Sequence, residues 1–179
     1  MGVKTLLTVE EFERLPDDDL RHELDEGELL TVAPASEEHG DVEVAVLTRL
    51  HSFVTQHRLG KVYGGDTGFR IAKEIVRSPD VAFLRKERLG RGSRKSFVEG
   101  APDLAVEIFS LSDSVPQLMR KVRQYLEHGS HTIWVVYPET RQVHVFQSGA
   151  ADRILEAGDL LEAPELLPGF SVPVGELFV

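Results

Sequence analysis

A chain of 179 residues with 41% hydrophobic side chains can fill one sizeable core and reads as a single domain over residues 1–179. Its 20 Lys and Arg against 30 Asp and Glu give a formal net charge of −10, which argues against a surface that attracts nucleic acid or an anionic membrane as a whole. With no cysteine there are no disulfides, thiolate metal sites, iron–sulfur clusters or cysteine nucleophiles, and with no apolar run near the roughly 18 residues of a membrane span the expectation is a soluble, cytoplasmic protein.

Thr8 followed by Glu11 has the spacing of a capping box, so residues 9–15 predict a short helix stopped by Pro16. His22-Glu23-Leu24 and Leu29-Leu30-Thr31-Val32 flank the turn-forming Asp25-Glu26-Gly27-Glu28, the pattern of a β-hairpin. Val42, Val46, Leu50, Phe53 and Val54 recur at helical spacing, and Ser36 can cap the helix they define over residues 36–57. Strand fragments at Lys61-Val62-Tyr63 and Phe69-Arg70-Ile71 surround a glycine turn, and one further strand is predicted over residues 77–84.

Next comes a run containing Arg85, Lys86, Arg88, Arg91, Arg94 and Lys95, opposed only by Glu87. Its local charge of +5 leaves −15 on the rest of the chain. Gly90, Gly92, Ser93 and Ser96 make it a loop rich in phosphate-binding donors, or simply a solvated surface loop. A nearly continuous apolar run over residues 102–110 predicts a strand covered on both faces. A helix over residues 115–128, a hairpin pairing Thr132-Ile133-Trp134-Val135-Val136-Tyr137 with Val143-His144-Val145-Phe146, and a proline-punctuated tail of short edge strands complete the chain. Helices interspersed with partly sequential hairpins predict a mixed sheet of α/β or α+β type.

Two acids stand in segments otherwise suited to burial: Asp80, directly after Pro79, and Glu107, in the middle of the apolar run. A buried carboxylate costs several kcal/mol, as an order of magnitude, unless a cation or donors compensate it. An arginine or lysine would give a structural ion pair; a divalent metal would give a catalytic site, because carboxylate oxygens suit Mg²⁺ and Mn²⁺. On the helix that follows, Lys121 lies about 60° from Leu118 and so borders the apolar stripe, whereas Arg120 and Arg123 point away. Its ammonium can reach the end of the sheet, or its stem can merely snorkel along the core. Other chemistry finds no support: there is no Gly-x-x-x-x-Gly-Lys loop, no His-Glu-x-x-His helix and no Gly-x-Ser-x-Gly elbow, and His51, His57, His128 and His131 lack ligand spacing.

Taken in order, Arg21-His22-Glu23-Leu24-Asp25-Glu26-Gly27-Glu28-Leu29, the stretch from Pro34 to His39, Pro79-Asp80, Asp103-Leu104-Ala105-Val106-Glu107-Ile108-Phe109-Ser110, Lys121 with Tyr125 through Gly129, and Ile133-Trp134-Val135-Val136 resemble the Uma-two family of endonucleases. That family is similar to the PD-(D/E)XK nucleases, so the resemblance implies a restriction-endonuclease-like fold, a central mixed sheet flanked by helices. It makes Asp80 and Glu107 the metal-binding carboxylates, Lys121 the basic residue and Glu23 an additional acid, with Mg²⁺ or Mn²⁺ as cofactor, DNA as partner and a homodimer as assembly. The lysine of the superfamily normally stands two residues after the second acid; here that place is Phe109, so Lys121 must supply the charge from the helix. His39 fits the family pattern too, and is read as structural.

The implied reaction is metal-assisted hydrolysis of a DNA phosphodiester, with the loop between Arg85 and Lys95 holding flanking phosphates without reading sequence. Two alternatives stay open. A degenerate site on the same fold would be a binding or assembly module, and an active one could take RNA.

Overall fold

In the computed structural model of the chain, residues 6–16, 18–90, 95–110 and 113–178 are described. The predicted first helix is a single turn, α1 (Val9–Phe12), closed by the capping box: Glu11 N–H donates to Thr8 Oγ1 at 3.2 Å and Thr8 N–H to Glu11 Oε2 at 2.8 Å. It ends before residue 15 because Pro16 disfavours helical geometry in the residue preceding it. The hairpin follows as β1 (Arg21–Asp25) and β2 (Glu28–Val32). Its two turn residues, Glu26 and Gly27, have φ of 50° and 84°, the left-handed geometry of a two-residue turn matched to strand twist. Helix α2 (Glu37–His57) starts at Ser36, whose hydroxyl accepts from His39 N–H, and buries Val42, Val46, Leu50 and Val54 along one stripe.

β3 (Gly60–Gly64) and β4 (Phe69–Ala72) occupy the two expected fragments. The single strand expected over residues 77–84 is instead two: β5 (Ile75–Arg77) and β6 (Val81–Arg85), in different sheets. Ser78-Pro79-Asp80 carries the chain from one sheet to the other. Pro79 has no N–H to continue a ladder, and Ser78 N–H is diverted to the Glu23 carboxylate at 3.1 Å. The remaining elements are β7 (Val98–Glu99), β8 (Leu104–Ile108), α3 (Val115–Glu127), β9 (Thr132–Tyr137), β10 (Gln142–Gln147), β11 (Arg153–Leu155), β12 (Leu160–Glu162) and β13 (Ser171–Pro173).

The central six-stranded sheet has the order β11-β10-β9-β8-β6-β3, and its parallel pair, β8 with β9, is joined by the α3 crossover. A five-stranded sheet, β2-β1-β5-β4-β7, and a two-stranded ribbon, β12-β13, complete the strands, so the α/β expectation holds with its strands divided among three sheets. Along β8, side chains alternate. Leu104, Val106 and Ile108 join α2 and the C-terminal Leu166, Leu167 and Phe170 on one face, while Ala105 joins α3 and the five-stranded sheet on the other. Trp134, Phe83 and Leu104 in the first layer are fully buried, each worth roughly 1.5–3 kcal/mol of transfer free energy. Among the described residues no helix is long and apolar enough to cross a membrane.

Candidate active site

Because β6 runs antiparallel to β8 with Val81 opposite Val106, Asp80 at the start of β6 comes to lie beside Glu107 near the end of β8. Ile108 N–H donates to Asp80 Oδ2 at 2.7 Å and ties the two strand ends together. Alternation turns Glu107, like Ala105, toward α3. There Lys121 Nζ meets Glu107 Oε2 at 2.7 Å, and Tyr125 Oη donates to Glu107 Oε1 at 2.8 Å. Lysine and tyrosine are four residues apart and therefore project from one side of the helix.

Glu23 enters from β1. Its Oε1 is 3.2 Å from Lys121 Nζ and its Oε2 is 3.0 Å from Arg77 Nη1. Arg77, 2% exposed, also pairs with Asp25 at 2.7 Å and donates Nε and Nη2 to Gln124 Oε1, while Gln124 Nε2 donates to Asp25 at 2.8 Å. The four residues Asp80, Glu107, Lys121 and Glu23 singled out from the sequence are thus brought together. His39, read as structural, sits in the same place with Nε2 3.3 Å from Asp80 Oδ1. Arg120, expected to point away, folds back onto Asp25 at 3.1 Å and Glu26 at 3.0 Å, because the β1–β2 turn lies against α3.

Buried negative charge exceeds buried positive charge here. Glu23, Asp80 and Glu107 are 2%, 6% and 5% exposed, and Arg77 and Lys121 face them. Burial, reinforced by Asp80 and Glu23, outweighs the Lys121 ammonium and pushes the Glu107 carboxyl up to about 7. Burial also works against the Lys121 ammonium, but Glu107, Glu23 and Asp80 outweigh it and hold the lysine above its ordinary range. The Asp80 carboxyl is lowered: the His39 hydrogen bond and nearby cations overcome the burial that would raise it. The hydrogen bond to Asp80 in turn raises His39.

This donor set fits a hard divalent cation: two adjacent carboxylates short of positive charge, each oxygen with a lone pair beyond its present partner. Among the described residues no group of three or more His, Asp or Glu side chains is arranged to hold a metal by itself. A two-carboxylate site suits Mg²⁺, which keeps water or substrate oxygens in its remaining positions. Above Asp80 and Glu107 opens a cleft of about 1070 Å³, walled by Leu29 to Pro34 on one side and by Phe109, Tyr137 and Pro138 on the other.

The described part of the basic loop is elsewhere. Arg85 ends β6 at the other end of the sheet, roughly 17 Å from Asp80 at about 3.3 Å per residue. Asp103, before β8, accepts Arg85 N–H at 2.8 Å and pairs with Arg88 at 3.3 Å, so these two arginines are tied to the start of β8. Lys86 stands in the short 3₁₀ turn between them and Lys95 follows on the far side of the loop. Arg91 and Arg94 lie outside the described residues. The described part of the loop therefore does not border the carboxylates; antiparallel pairing of β6 with β8 carries it to the opposite end of the sheet.

Sequence reasoning passed over Arg77, Gln124 and Tyr125 as functional residues. For Tyr125 and Gln124 the signal was their spacing of four and three from Lys121. Arg77 was marked, as Glu107 was, by a charge in an apolar strand, Ile75-Val76-Arg77.

A solved structure, described as "a putative nuclease belonging to DUF820" from Anabaena variabilis, is 20% identical to this chain and superposes with a TM-score of 0.84, covering 96% of this chain and 97% of that one. The likeness shows the fold to be restriction-endonuclease-like, as the resemblance implied. No curated protein matches the chain. A family model, described as "Putative restriction endonuclease", matches residues 9–175, and with nearly the whole chain covered the protein belongs to the Uma2 family.

Proposed function

We propose that this chain is a metal-dependent endonuclease that hydrolyses phosphodiester bonds of DNA, with Asp80 and Glu107 holding Mg²⁺ or Mn²⁺. The observation that supports this most directly is the meeting of two buried carboxylates and a lysine, from three separate elements, at the base of a cleft in a chain of this family. When bound, the cation supplies Lewis acidity toward a phosphoryl oxygen and lowers the pKa of a bound water.

The protein's own groups do the rest. Lys121, held protonated by three carboxylates, presents positive charge where the phosphoryl oxygens gain negative charge. Glu23 holds the lysine as a second partner at 3.2 Å, and Arg77 holds Glu23. Tyr125 donates to Glu107 Oε1 and orients the carboxylate without competing for charge. The lysine comes from α3, and the place two residues past Glu107, directly after β8, is held by Phe109.

Calorimetric titration with Mn²⁺ and cleavage of labelled DNA test the proposal together. Wild type is expected to bind one ion per site and to cut; Asp80→Ala and Glu107→Ala keep their fold and lose both, and Lys121→Ala keeps the ion and loses cleavage. Unchanged metal binding in both carboxylate variants refutes it. The homodimer belongs to the same proposal, and sedimentation at monomer mass across the working concentration range removes that part of it.

A further inference from the structure

Resting on the hydrolytic reading above, we infer that the cleft takes an unpaired strand, one base of which stacks on a platform formed by Phe109 and Tyr137, in preference to a duplex. The charge on the cleft walls is the first ground. Among the described lining residues seven carboxyl groups face Arg21, Arg77 and Lys121, with His39 held toward its charged form by Asp80. Arg77 and Lys121 are engaged with buried acids, and the outer walls carry Glu38, Asp113 and Glu139. Beside Lys121 at the scissile position, Arg21 is the one described lining cation placed to take a further phosphate: it is 28% exposed and stands 4.0 Å from Asp80, with Nη2 donating to the Ser78 carbonyl. One guanidinium suits one or two phosphates. A duplex-binding protein neutralises about 6–10, and acidic walls repel the second strand's backbone.

The second ground is the wall beside the carboxylates. Tyr137 ends β9 and Phe109 directly follows β8, where its N–H donates to Val136 O at 2.8 Å and extends the parallel pairing. Their rings are 5.2 Å apart at 47°, both partly exposed and both lining the cleft. Phe109 follows Glu107 by two residues on one strand face, about 7 Å away, close to the spacing between a scissile phosphate and a neighbouring base. Aromatic faces that accept any base, with little backbone charge, are the means by which proteins hold single strands.

The test uses one short DNA oligonucleotide containing 2-aminopurine, free or annealed to its complement, with Ca²⁺ in place of Mn²⁺. The single strand is expected to bind at least tenfold more tightly than the duplex, with the 2-aminopurine emission quenched by stacking. Phe109→Ala weakens single-strand binding by about tenfold and abolishes the quench, while Phe109→Trp restores both. Should Phe109→Ala fail to fold, Tyr137→Leu carries the same expectation and Tyr137→Phe the same rescue. Equal affinity for duplex and single strand, or a quench that survives loss of the aromatic, overturns the inference. A parallel Mn²⁺ cleavage assay separates the two claims. Duplex cut as well as single strand, dependent on Glu107, leaves hydrolysis standing and removes the platform; single-strand binding with the quench and no cleavage does the reverse.

Discussion

Replacing Glu107 by glutamine keeps the shape of the side chain and removes the charge that the fold tolerates least. In the folded wild type this carboxyl is 5% exposed and titrates near 7, against 4.5 when unfolded. Between those values the folded protein keeps a proton that the unfolded chain has released, so wild-type stability falls as pH rises. The stability linked to that proton is full below about 4.5 and is lost by the time pH passes 7. A gap of that size corresponds to roughly 3 kcal/mol at 1.36 kcal/mol per pK unit. Because Asp80, Glu23 and Glu107 interact, the proton belongs to the carboxylate set, and glutamine removes it from the set altogether. Lys121 keeps a partner in Glu23 at 3.2 Å, so the variant does not strand a buried cation. Urea unfolding followed by Trp134, the single and fully buried tryptophan, should show Glu107→Gln gaining about 3 kcal/mol on wild type between pH 4.5 and pH 8. A stability difference that stays constant across that range would show that Glu107 titrates normally and would refute the charge-deficit argument for a cation.

Tyr125→Phe deletes the donor at 2.8 Å from Glu107 Oε1 and should cost about 1–2 kcal/mol at pH 8, less at pH 5 where the carboxyl carries its own proton; denaturant titrations at the two pH values compare them. Arg77→Met removes the cation that Glu23 and Asp25 share, leaving Lys121 to the one and Arg120 to the other, and a loss of about 1.5–3 kcal/mol is expected in the same unfolding assay, with an unaltered midpoint as the contrary result. Gly60→Ala places a Cβ 2.0 Å from the Leu84 carbonyl oxygen, so β3 and β6 must separate; calorimetry should record a lower melting temperature, equivalent to about 1–3 kcal/mol.

The elements that periodicity defines were legible before any coordinates. Thr8 and Ser36 cap where expected, α2 buries Val42, Val46, Leu50 and Val54 as their spacing predicted, α3 buries Leu118, Val122 and Tyr125 while Val115 and Met119 stay exposed, and the Glu26-Gly27 turn closes its hairpin. Local interactions suffice for each of these, since caps, stripes and two-residue turns act within a few residues. Residues 77–84 read as one strand because Arg77 and Val81 both have strand character, whereas β5 pairs with β4 and the distant β1, and β6 with β3 and β8 of the other sheet. No local pattern says which sheet a strand will join.

By itself the sequence determined that buried acids at Asp80 and Glu107 need compensation and that Lys121 borders a core stripe, because burial and helical phase are properties of short segments. Tertiary structure alone decided that the three meet in one cleft with Glu23, Arg77 and Tyr125. It also decided that Arg85 and Arg88, in the described part of the basic loop, sit at the other end of the sheet, tied to Asp103. The reason is the antiparallel pairing of β6 with β8, which sets the Asp80 end of β6 beside Glu107 and the Arg85 end, a strand length away, beside the start of β8.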